Sequence, residues 1–131
     1  MHVLPVYAAL FAFLYVGLSV RTLRLRRTLR IAIGNSGSET MLRAVRVHSN
    51  FAEYVPFSLF LILLVEMQAA PPVLVHTLCL CLFAGRVAHA FGVSQLKENY
   101  RYRAFGMVLT FTTLVASAVY LIFAYAYYRG G

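Results

Sequence analysis

The run AFGMVLTFTTLVASAVYLIFAYAYY, Ala104 to Tyr128, holds 25 consecutive residues without a charge. As an α-helix it would be about 37 Å long, more than the ~30 Å of a bilayer's hydrocarbon core. A helix that is apolar all round needs an apolar solvent, and lipid is the natural one. Three more apolar runs precede it. Val73 to Gly85 continues into Arg86-Val-Ala-His89-Ala-Phe91, and Tyr54 to Val65 is apolar apart from Ser58, with a helix-compatible approach from about Glu39. Val3 to Val20 carries no charge over 18 residues. The chain is expected to be one domain over 1–131, all-α, an integral membrane four-helix bundle of up-down topology. Its helices are expected over about 3–26, 39–68, 72–92 and 103–128.

Composition points the same way. Of 131 residues, 61% are hydrophobic and 12% charged, against about 25% charged in soluble domains. The mean hydropathy is +0.74. Such a chain has too little polar surface to coat a globule. The apolar segment at the start lacks a basic region before it and exceeds the apolar length of a secretory signal, so it is expected to be a retained helix.

Punctuation sets the boundaries. Gly34-Asn-Ser-Gly37 is turn chemistry, and Ser38 is placed to cap the second helix. Pro71-Pro72 breaks the chain, the second proline being acceptable at a helix start. Gly92 is expected to end the third helix.

The net charge of +8 comes from 12 Lys+Arg against 4 Asp+Glu. A basic chain raises the question of nucleic acid, but these arginines sit between apolar runs and form no continuous basic stripe. They read as topology signals, with no nucleic-acid partner. Arg21, Arg24, Arg26, Arg27, Arg30 and Arg43 flank the first connection, and Lys97, Arg101 and Arg103 the third; the middle one has none. By the positive-inside rule those two connections are cytoplasmic and both termini extracytoplasmic. Cys79 and Cys81 lie two positions apart on one helix, face different directions and cannot bridge. They are expected to be packing residues, and no metal signature follows.

Polar groups at membrane depth carry the functional signal, because each costs at least ~2.5 kcal/mol at a helix centre. On helix two, Arg43, Arg46, Asn50 and Glu53 are spaced by three, four and three residues, and at 100° per residue they fall within roughly an 80° arc. They form one polar stripe that starts at the cytoplasmic interface and runs inward. Arg86 and His89 share a face of helix three near the same end. One reading is an intramembrane ion pair, Glu53 with Arg46 or Arg86, that fixes helix packing. The other follows from the excess of guanidinium groups over carboxylates, which needs an anion to be stable. Arginine suits bidentate carboxylate recognition, so that reading asks for an acidic small molecule. His48 lies off the stripe and is expected to pack at the interface. His76 is expected to be a hydrogen-bonded core residue, and Glu66 interfacial.

The run Arg43-Ala-Val-Arg46-Val-His48-Ser49-Asn50-Phe-Ala-Glu53-Tyr-Val-Pro56 resembles the helix-two signature of the MAPEG family, the membrane-associated proteins in eicosanoid and glutathione metabolism. Gly85-Arg86-Val87-Ala88-His89 is similar to the family's helix-three segment, and Arg24-Leu-Arg26-Arg27 to the basic end of its first helix. Arg103-x-x-Gly106 is similar to the start of its fourth. The resemblance covers essentially the whole chain and is closest to short bacterial members.

That resemblance implies a homotrimer in the bacterial inner membrane, binding glutathione as co-substrate between neighbouring subunits on the cytoplasmic side. Arg46, Asn50 and Glu53 would grip the γ-glutamyl end, supported by Arg43. Arg24 of the adjacent subunit would meet the glycyl carboxylate, and Arg86 and His89 would close the pocket. Arg103 would be the catalytic residue beside the thiol, with Arg101 as the alternative; a guanidinium there favours the nucleophilic thiolate. The implied activity is that of a glutathione transferase or peroxidase acting on a hydrophobic small molecule, an electrophile or lipid hydroperoxide. Ser49 stands where some members are basic, Ala104 where some carry a hydroxyl, and Val93 and Met107 near tyrosines of the eukaryotic enzymes. The alternatives are a non-catalytic membrane adaptor or lipid-binding trimer, and a small four-helix transporter. Small multidrug exporters couple protons through a carboxylate in their first helix, and Val3 to Val20 has none.

Overall fold

The computed structural model describes residues 3–97 and 99–129, with the backbone alone at 128 and 129. The expected position of the two chain ends falls on 1, 2, 130 and 131, outside the described residues. Four helices follow one another: α1 (Leu4–Leu29), α2 (Glu39–Met67), α3 (Pro72–Ser94) and α4 (Tyr100–Arg129). All four are long and apolar enough to cross a membrane. They run up and down. Ser19 meets His48 and Leu4 meets Glu66 across α1 and α2, while Cys81 meets Leu109 across α3 and α4.

Helix ends depart from the expected ones by a few residues, each for a local reason. α1 continues to Leu29, because no breaker stands before Arg30. Arg30 takes a left-handed conformation (φ 54°, ψ 39°), and Ile31 N–H closes back on the Arg26 carbonyl at 3.0 Å. The Arg26 guanidinium then donates to the carbonyls of Ala32 and Gly34, covering the turn. Gly34 and Gly37 both have positive φ, 71° and 77°, where glycine is favoured. Ser38 caps α2 as expected, its Oγ accepting from Met41 N–H at 3.3 Å. α4 begins early, at Tyr100, because the Asn99 side chain accepts from Arg101 N–H at 3.1 Å.

Gly92 does not end α3, which continues to Ser94. Its missing side chain serves packing instead: a Cβ there would lie 2.9 Å from the backbone N of Arg103 and from Tyr102 Cβ. Gly85 and Gly106 repeat the arrangement one level deeper. A Cβ on Gly106 would lie 2.5 Å from the Gly85 carbonyl oxygen and 2.7 Å from His89 N. Thr110, Thr113 and Ser117 extend this buried small face along α4. Without a hydrophobic force between helices in lipid, small residues let backbones close in, and van der Waals packing holds the pair.

The apolar core lies between α1, α2 and α3, around Phe11, Phe51, Val55, Ile62, Val75 and Leu82. Phe11 sets its ring against Phe83 and Phe51, with centroids 5.5 Å and 6.2 Å apart. Cys79 and Cys81 are free and packed, Cys79 fully buried. α1 and α4 lie on opposite sides of the α2–α3 pair and make no contact among the described residues. Their outer faces present large apolar side chains, Phe13 at 75% exposure and Ile122 at 67%, as a lipid-facing surface requires. Glu66 contributes more than an interfacial charge. Val3 offers no side-chain cap to α1, and Glu66 Oε1 accepts from Leu4 N–H (3.1 Å) and from Val3 N–H instead. A carboxylate at a helix N-terminus satisfies orphan donors and opposes the helix dipole.

Candidate functional site

At the arginine-rich end of the bundle α2, α3 and the start of α4 enclose an open pocket of about 530 Å³. Its volume lies in the range of small-molecule sites. From α2 come Arg43, Arg46, Asn50 and Glu53, the whole of the stripe that the spacing placed on one face; His89 comes from α3 and Arg103 from α4. Arg101 is not on the wall, so of the two arginines in the first turn of α4 it is Arg103 that faces the cavity. Arg24 is exposed on α1 and does not reach this pocket within its own chain.

Arg43 is held from two sides. Its Nη2 pairs with Glu39 Oε1 at 3.0 Å, an i,i+4 contact, and its Nη1 donates to the Val93 carbonyl at 3.2 Å. Glu39 and Val93 thereby join the wall. Glu39 was legible as a carboxylate one turn before Arg43; Val93 depended on where α3 ends. Ser49 lines the pocket as well, a small hydroxyl leaving space beside Arg46.

Glu53 and Arg46 are both exposed. Among the described residues, Glu53 makes no ion pair with Arg46 or Arg86. The ion pair that would fix packing within one subunit is therefore not formed. Glu53 is the fifteenth of the 29 residues of α2, so an exposed carboxylate stands at the midpoint of a membrane-length helix.

Arg86 stands behind the wall. It is 2% exposed, the largest fully buried side chain among the described residues. Its Nη1 donates to Asn50 Oδ1 at 2.6 Å, and its Nη2 reaches the Gly106 carbonyl (3.4 Å) and Met107 Sδ (3.5 Å). Its guanidinium carbon lies 5.8 Å from the centroid of the Tyr54 ring, within cation–π range. His89, one turn on, is 5% exposed and does face the cavity. His48 points away from the pocket: it stacks on Tyr15 with centroids 5.0 Å apart and shares a 2.9 Å hydrogen bond with Ser19 Oγ. His76 is exposed, not in the core; it sits against α1, with the Tyr7 hydroxyl 3.0 Å from its Nδ1.

The cavity thus offers guanidinium and amide donors around one unpaired carboxylate. That set suits a zwitterion with more negative than positive charge.

Comparison with known proteins follows the same line. The model of a family described as the MAPEG family matches residues 4–123. The inner membrane protein YecN of Escherichia coli strain K12 is 36% identical over 109 residues, which cover 83% of this chain and 82% of YecN. YecN of a second E. coli strain, O6:H1, matches to the same extent. No solved structure matches.

Proposed function

The chain belongs to the MAPEG family, and from that premise we propose that it binds glutathione and presents its thiolate to hydrophobic electrophiles or lipid hydroperoxides. The observation that carries this reading is the convergence of Arg46, Asn50, Glu53 and Arg103 on one cavity. Glutathione brings two carboxylates and one ammonium, the charge pattern the cavity complements. Arg46 and Asn50 bind the γ-glutamyl carboxylate, Glu53 its ammonium, and Arg24 of a neighbouring subunit the glycyl carboxylate. Arg103 lies beside the sulfur. In the transferase reaction the thiolate attacks an electrophilic carbon, a C–S bond forms, and the leaving group departs with its electron pair. The electrophile enters from the bilayer. The site opens to the cytoplasm, as the basic connections imply, and the inner membrane is the location, as for YecN.

Isothermal titration of glutathione into the detergent-solubilised protein tests the reading. Glu53→Gln removes the ammonium's partner and leaves the arginines unbalanced. Truncating one member of a desolvated charge pair costs about 2–5 kcal/mol, so affinity should fall roughly 30-fold or more. Equal binding by the variant and the wild type, or none by either, would make the helix-two stripe a packing device. Thiol consumption with a hydrophobic electrophile then separates an enzyme from a non-catalytic adaptor.

A further inference from the structure

We propose that Arg86 is a positioning residue that fixes the Asn50 amide with its N–H donors toward the pocket, making this subsite selective for a carboxylate. The proposal rests on the glutathione reading for the identity of the ligand, but not for the contact itself.

The chemistry of arginine settles the orientation of the amide. A guanidinium has five N–H donors and no acceptor, so the Asn50 atom 2.6 Å from Arg86 Nη1 has to be the oxygen. Amide orientation is otherwise assigned from the surrounding network, and here a partner that can only donate leaves one choice. With Oδ1 held from behind the wall, Nδ2 occupies the other branch of the planar group. It has no hydrogen-bond partner among the described residues, and Asn50 itself lines the cavity. An asparagine free to turn would present either a carbonyl to an ammonium or an amino group to a carboxylate. Held by Arg86, it offers the amino group.

Arg86 is well built for this task. It is buried and anchored on α4 through Gly106 and Met107, and stands over Tyr54 of α2. Its Nε has no hydrogen-bond partner among the described residues. The guanidinium can sit so close to the α4 backbone because Gly85 and Gly106 lack side chains at the crossing. The subsite's polarity is therefore set by a residue that does not touch the ligand.

Two measurements on the full chain in detergent test this. The first uses no ligand: a double-mutant cycle of thermal unfolding with Arg86→Gln, Asn50→Ala and the pair. A direct contact makes the cycle non-additive, the double variant losing less in Tm than the sum of the single losses; additive losses overturn the proposal. The second is glutathione titration into Asn50→Asp, which keeps an acceptor for Arg86 but replaces donors with a negative oxygen at the pocket. Its Tm should equal or exceed that of the wild type while glutathione affinity falls at least 10-fold. Arg86→Lys, which retains a donor, should hold affinity closer to the wild type than Arg86→Gln does. Wild-type affinity in Asn50→Asp, or equal losses in both Arg86 variants, overturns the proposal. A non-additive cycle in a protein that binds no glutathione would uphold the contact and remove glutathione as the ligand.

Discussion

Arg103 stands one turn inside α4 and on the pocket wall, whereas Arg101 does not reach it. Beside a thiol, the Arg103 guanidinium favours the anion, so bound glutathione should ionise below the ordinary thiol pKa of about 8.5. Removing the cation reverses the sign. In Arg103→Ala the thiol pKa of bound glutathione should rise and the thiolate fraction near pH 7 fall, with little loss of affinity. Arg101→Ala should leave both unchanged. Thiolate absorbance in the ultraviolet, titrated against pH, separates the two variants, and identical titrations would remove Arg103 from the sulfur. The stripe containing Arg43, Arg46, Asn50 and Glu53 was legible because helical periodicity alone puts those residues on one face. The role of Arg86 was not. Its three-residue spacing from His89 shows a shared face, but not that of two buried side chains His89 would line the cavity and Arg86 stand behind its wall.

Among the elements, the α3–α4 pair has the narrowest tolerance. A Cβ on Gly106 meets backbone atoms at 2.5 and 2.7 Å, which cannot rotate away as a side chain would. Gly106→Ala should separate the helices and cost about 1–3 kcal/mol, the usual penalty of overpacking. Because the same crossing seats Arg86 and His89, glutathione affinity should fall with it. Gly17 of α1 is the internal control: a Cβ there meets nothing within 4 Å. Gly17→Ala should be neutral or stabilising by up to ~1 kcal/mol through helix propensity. Thermal unfolding of both variants in one detergent decides, and equal melting temperatures would refute the close crossing. The four helices and the Pro71-Pro72 break could be read from the chain, whereas Gly92, expected to end α3, lies inside it. A glycine that ends a helix and one that admits a neighbour's backbone look alike in sequence, since both use the absent Cβ. The start of α4 escaped for a related reason. Asn99 is a capping residue followed by tyrosines and arginines, so the charge-free run marks the membrane span and not the helix.

For the whole molecule, exposed Glu53 and Arg46 at membrane depth are incompatible with a lone subunit in lipid. A symmetric oligomer that covers the open side of the pocket resolves this. Native mass spectrometry from mild detergent should give one closed species, three copies being the family-implied number. A monodisperse monomer would remove Arg24 from the site and leave the pocket half built. Composition made the membrane setting legible at this scale, and the length of each run made the helix count legible. The arrangement of the helices was hidden, because all four are apolar on several faces and patterning does not choose neighbours. The bond from Leu4 N–H to Glu66 also bears on how the chain is made. The two residues are separated by 62 positions, which at 5–20 residues per second is roughly 3–12 s of synthesis. Throughout that interval Glu66 cannot serve the first amides of α1. The cap on the opening helix is therefore completed only after the ribosome has delivered the far end of the second.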